Sequence, residues 1–101
     1  MRTILKYPIH LTGDSAQYFM LPKGAKVVRF ADQHQMLHLW VELEMVTPEV
    51  LERRAFIIIG TGHAIPTKAV HCASCEAGPF IWHLYEVPEA ARESDWNEYY
   101  R

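Results

Sequence analysis

Met36-Leu37-His38-Leu39-Trp40-Val41-Glu42-Leu43-Glu44-Met45 decides the fold class of this chain. Leu37, Leu39, Val41, Leu43 and Met45 fall on every second position, while His38, Trp40, Glu42 and Glu44 fill the positions between. Successive side chains of a strand point to opposite sides of a sheet, so this alternation predicts a strand buried on one face only. A helix would scatter the same leucines around its circumference.

The same reading extends outward. Ala25–Ala31 predicts a strand through Val27, Val28 and Phe30, joined to Met36–Met45 by the polar loop Asp32-Gln33-His34-Gln35. Pro22-Lys23-Gly24 reads as a turn, because proline presets φ and glycine accepts a left-handed backbone. Thr3–Ile9 and Gln17–Leu21 predict two earlier strands, with Pro8 placing the end of the first at a sheet edge. Arg53–Ile59 predicts a strand ended by Gly60-Thr61-Gly62. Ala69–Cys75 and Phe80–Val87 predict a second hairpin around Glu76-Ala77-Gly78-Pro79. Phe80–Val87 is apolar on both faces, as in a central strand or one covered on its outer side. The expected fold is mainly β, a small antiparallel sandwich or barrel of about six to seven strands.

Two segments read as helical. Thr47-Pro48-Glu49 resembles a helix start of one or two turns. Residues 88–101 form a C-terminal tail, set apart from the β domain of residues 1–87. There, Arg92, Trp96, Tyr99 and Tyr100 share one face of a predicted short helix. That face either docks on the sheet or is a binding arm.

The 101 residues fit one domain, and the 50% hydrophobic, 22% charged composition is that of a globular chain. The net charge is −2, and the whole acidic excess lies in the tail: residues 1–87 hold eight acids and eight bases. Scattered bases argue against nucleic-acid binding, which needs clustered Lys and Arg. The longest apolar run, Ala55–Ile59, is too short to span a bilayer, and Met1–Leu11 lacks the pattern of a signal peptide. A cytoplasmic protein with reduced Cys72 and Cys75 is expected.

Lys6-Tyr7-Pro8, Pro22-Lys23-Gly24-Ala25-Lys26-Val27, Leu39-Trp40, Ile59-Gly60-Thr61-Gly62-His63-Ala64-Ile65-Pro66 and Phe80-Ile81-Trp82-His83-Leu84-Tyr85-Glu86 together resemble a family of short phage-borne domains of unknown function. The resemblance covers roughly Lys6 to Glu86. It implies a phage or prophage origin, in the cytoplasm of a bacterial host, and carries over no catalytic residue. Val70–Glu76 and the tail depart from the family pattern.

The residues themselves offer four functional readings. The first is a protein-binding accessory protein, such as an inhibitor of a host defence protein, using Trp40 on the polar strand face or Trp96, Tyr99 and Tyr100 on the tail. The second is a self-associating module that pairs edge strands in a homodimer. The third is a small-ligand site or an enzyme built on His63 and His83, with Glu86 or Glu44 orienting one of them. Against catalysis, Ser15 and Ser74 lie in no nucleophile motif and no carboxylate pair has catalytic spacing. The fourth is a metal held by His71-Cys72-Ala73-Ser74-Cys75, which supplies one Cys-x-x-Cys knuckle but no second pair, and in which His71 and Cys72 would point to opposite faces of a strand. The expectation is therefore a protein partner, no cofactor and no structural metal. Gly60-Thr61-Gly62-His63 lacks the Gly-Lys-Ser/Thr of a phosphate loop, and Pro66 interrupts the helix that loop would need.

Overall fold

A computed structural model describes residues 1–13 and 15–89, and the predicted tail helix with Trp96, Tyr99 and Tyr100 lies outside them. Seven strands form: β1 (Arg2–Pro8), β2 (Gln17–Pro22), β3 (Lys26–Gln33), β4 (Met36–Glu44), β5 (Leu51–Gly60), β6 (Val70–Ala77) and β7 (Phe80–Val87). They make two antiparallel sheets, one of order β1-β4-β3 and one of order β2-β5-β7-β6. Of the two architectures expected, the sandwich is the one formed.

The alternation in β4 does what period two requires. Leu37, Leu39, Val41 and Leu43 are buried, and they meet Phe30 of β3 and Leu21, Phe56, Ile58 and Leu84 from the facing sheet. β4 is the central strand of its sheet, so its inner face has neighbours on every side. Tyr7, Phe19 and Phe56 stack edge to face at 5.9 Å and tie β1 to the second sheet. At one end the inner face turns polar. Arg54 forks onto Glu86 through Nε (2.7 Å) and Nη2 (2.8 Å), and its Nη1 donates to the Ala25 carbonyl. The half-buried pair satisfies nearly all its polar groups where apolar contact runs out.

The apolar outer face of β7 is also explained. Val87 packs with Ala55, Ile57 and Ile59 of β5 in a second small core, joined by Ala16, Ala69 and Tyr85. This second core covers the outside of the four-stranded sheet. β7 is internal to its sheet, between β5 and β6.

Three local expectations are corrected. Residues 45–50 form a bend with a cis Thr47–Pro48 bond and no helical turn. The backbone there is drawn across to the second sheet, where Val50 accepts a bond from the Lys23 N–H, and it enters β5 at once. The first hairpin loop shrinks to His34-Gln35, both at positive φ (57° and 64°), as a two-residue turn that follows the strand twist requires. The second shrinks to Gly78-Pro79, with Gly78 at φ 61°. Among the described residues no helix is long and apolar enough to cross a membrane.

Two stability tests follow from this packing. Leu39→Ala is expected to cost about 2–5 kcal/mol in urea unfolding. Ile4→Ala, on the exposed face of the same sheet, should stay within about 0.5 kcal/mol. Gln35→Gly relieves a left-handed backbone that disfavours a side chain, and should stabilise by about 1 kcal/mol.

Candidate functional site

Four connections meet at one end of the sandwich: β1–β2, the His34-Gln35 turn, β5–β6 and the Gly78-Pro79 turn. Several apolar side chains at this end lie outside the core. Leu11, Met36, Ile65, Phe80 and Ile81 are all at least 40% exposed there. Between them run two adjoining grooves that share Leu11 and Trp82. The larger, of about 680 Å³, passes His10, Met36, Leu37 and Phe80. The smaller, of about 520 Å³, passes Ile58, Gly60 and His63. Phe80 and Trp82 lie 5.7 Å apart, so the rim carries an aromatic pair.

Local chemistry holds this end open. Gln17 clamps the β1–β2 connection by accepting from the His10 N–H (2.8 Å) and donating to the His10 carbonyl. Gly60 is required for close approach: a Cβ there would stand 3.1 Å from both the His63 ring and Trp82. Of Gly60 and Gly62, only Gly62 has a positive φ, at 88°. Apolar lining with a few histidines is the make-up of a recognition groove. Among the described residues, the exposed apolar side chains at the opposite end, such as Met1, Met45, Val46, Val50 and Val70, include no aromatic ring.

His63 and His83 are not brought together. His63 packs on Gly60 beside Trp82, toward the inner face. His83 follows Trp82 and pairs across from Ser74 on the outer face. There it joins a chain of hydrogen bonds that the sequence reading misses. Thr61 donates to the Ile81 carbonyl (3.3 Å), so its oxygen accepts from His83 Nε2–H at 2.9 Å. His83 Nδ1 then accepts from the Ser74 hydroxyl at 2.6 Å, and Ser74 accepts from His71 Nε2–H at 2.9 Å. His71 also lies edge-on to Tyr85, with centroids 5.2 Å apart. The order is that of a nucleophile, a base and an orienting group. However, among the described residues both ring nitrogens of His83 are held by hydroxyls and neither by a carboxylate, and the network lies on the outer face of the sheet.

The bulge between His71 and Ala73 produces this arrangement. Under strict alternation His71 and Ser74 would face opposite ways. The extra residue shifts the phase, so both face out while Cys72, Ala73 and Cys75 turn toward the core. The cysteines therefore join apolar surroundings. Burial, assisted by the nearby Glu86 carboxylate, pushes the Cys72 thiol up to about 11. Burial, then the charge of Asp32, raises Cys75. Among the described residues no three of His, Cys, Asp and Glu converge as a structural metal site would need. Glu86 is committed to Arg54 and Glu44 to the chain amino group at 3.0 Å, so neither orients His63 or His83.

Trp40 is half-buried on the outer face of the three-stranded sheet. The Arg29 guanidinium lies 5.7 Å from its ring centre and the His38 ring 5.9 Å away.

The chain was also compared with known proteins. The family described as "Domain of unknown function (DUF7352)" matches residues 1–95. No curated protein and no solved structure matches the chain.

The raised thiols have a measurable consequence. At pH 8 iodoacetamide should alkylate Cys72 at least ~10-fold more slowly in the folded protein than in urea, because the thiolate is the reactive form. The stability that this protonated thiol contributes is complete below the unfolded-chain value of about 8.5. It is lost as pH rises toward 11. Cys72→Ser should flatten that alkaline decline in a urea-midpoint series from pH 8 to 11.

Proposed function

Since the chain belongs to the DUF7352 family, whose description assigns no activity, we propose from its own residues that it is a non-enzymatic binding protein. It takes an apolar, aromatic-bearing segment of a protein partner into the groove at its loop end. The observation that carries this reading is Phe80. It is a large aromatic left 59% exposed on the rim of a groove floored by Trp82 and Leu11. A ring held in water beside a hydrophobic trough gains by being covered, and buried aromatics dominate the energetics of protein interfaces. The histidines His10 and His63 give the groove a few polar points that fix orientation.

The hydroxyl partners on both His83 ring nitrogens and the placement of His63 and His83 toward different faces favour binding over catalysis. The same proposal includes a phage or prophage origin and a host protein as target, an inhibited defence protein among them. Its support is the resemblance of the Gly-Thr-Gly-His-x-Ile-Pro and Trp-His-Leu-Tyr-Glu segments to phage-borne domains, and the cytoplasm of the host is then the site of action.

The test is site-specific photo-crosslinking in host cells, with a photoreactive phenylalanine analogue at position 80 and, as a control, at position 4. One discrete adduct from position 80, absent from position 4 and lost when Leu11→Glu is added, is the expected result. With the partner in hand, Phe80→Ala should weaken binding by about tenfold or more. Identical adducts from both positions, or none from position 80, would overturn the reading.

A further inference from the structure

The polar chain on the outer face of β6 and β7 brings two imidazole nitrogens to one point. His71 Nε2 and His83 Nδ1 both face the Ser74 hydroxyl, at 2.9 and 2.6 Å. We propose that His71 and His83 together bind one imidazole-seeking divalent transition-metal ion, of the Zn²⁺, Ni²⁺ or Cu²⁺ class, on the solvent side of Ser74 Oγ, where their two ring nitrogens converge. This site stands apart from the groove and does not depend on what the groove binds.

The first argument is distance. A metal–imidazole bond is about 2.1 Å long, and both nitrogens already point at one hydroxyl oxygen, at 2.9 and 2.6 Å, so a small closure of the two rings brings them onto one ion beside that oxygen. Both His71 and Ser74 lie on β6, an edge strand of its sheet, and the His71 side chain is exposed. The ring centroids of the two histidines stand 6.4 Å apart, within reach of a shared ion after that closure.

The second argument is orientation. A ligating imidazole needs its other nitrogen held so that the lone pair points at the metal. Thr61 does this for His83: it accepts from Nε2–H while its own hydroxyl is committed to the Ile81 carbonyl. The Nδ1 lone pair is thereby aimed at Ser74 before any ion arrives. For His71, the edge-on contact with Tyr85 (5.2 Å, 72°) sets the ring plane. Moving its proton to Nδ1 frees Nε2 for the ion.

The third argument is the donor set. Two histidines and a displaceable hydroxyl suit ions that prefer imidazole, and suit magnesium and calcium poorly. The knuckle thiols cannot complete the shell, because the β6 bulge turns Cys72 and Cys75 to the other face. The remaining positions belong to water, so the ion is exchangeable and the fold does not depend on it.

The test uses the full chain. Calorimetric titration with ZnCl₂ gives stoichiometry and affinity, and substoichiometric CuCl₂ in ¹H–¹⁵N spectra reports location by paramagnetic broadening. One Zn²⁺ per chain is expected, with amides around His71, Ser74 and His83 broadened first by Cu²⁺. His71→Ala and His83→Ala should each weaken Zn²⁺ at least tenfold. His63→Ala and Cys72→Ser should leave it unchanged. Ser74→Ala should hold or improve affinity, since its methyl group releases both nitrogens. The spectra also show whether each variant is folded. Unchanged affinity in either His71→Ala or His83→Ala, equal loss in His63→Ala, or no Zn²⁺ uptake by the folded wild-type chain would overturn the proposal.

Discussion

The structure depends on one constraint: the inner faces of β4 and of the β5–β7 pair must be dry at the same time. Leu39 and Val41 on one side, and Phe56 and Leu84 on the other, are all fully buried. Each of these strands has hydrogen-bonded neighbours on both edges, so side chains and backbone are satisfied together. Among the described residues there is no second core of similar size. The smaller cluster of Ala55, Ile57, Ile59 and Val87 only covers the back of the same β5–β7 pair. The Arg54–Glu86 fork closes the core at the end opposite the groove, where charge-assisted bonds replace apolar contact.

Function-bearing geometry arises where that regularity is interrupted. The bulge in β6 separates two chemistries that the sequence interleaves: His71 and Ser74 go to solvent, Cys72 and Cys75 to the core. A second bulge, between Val27 and Arg29 in β3, keeps Arg29 on the Trp40 face. At the loop end the interruption is of another kind. Strands stop, several apolar side chains lie outside the core, and a groove floored by Trp82 results. The two interruptions lie in different places, so the proposed binding groove and the proposed histidine site can coexist on one small scaffold.

Most of the body was legible because the signals are local. Phe80–Val87 forms the strand its alternation predicts, and Met36–Glu44 forms all but the last residue of another. The misreadings share a cause. His34-Gln35 lacks the Asn-Gly signature of a tight turn, so a longer loop was the natural reading, yet the twist of β3 and β4 imposes positive φ on both residues. Thr47-Pro48-Glu49 has the chemistry of a helix start, but its neighbours are already committed to strands in different sheets. His71, Ser74 and His83 carried no signal as a group, because nothing between His71 and Cys75 marks where the extra residue of a bulge falls.

What the sequence by itself determined is the period of each segment, and with it the β class, the approximate strand bounds and which leucines and isoleucines leave water. These follow from the alternation of successive side chains, a property of the chain alone. Only the tertiary structure decided which strands are neighbours, and therefore that His83 meets Ser74 and Thr61 and not His63, that Glu86 belongs to Arg54, and that four connections share one end. Pairing and register are set by how two apolar faces close on each other, and residues far apart in sequence become partners only when that closure selects one arrangement.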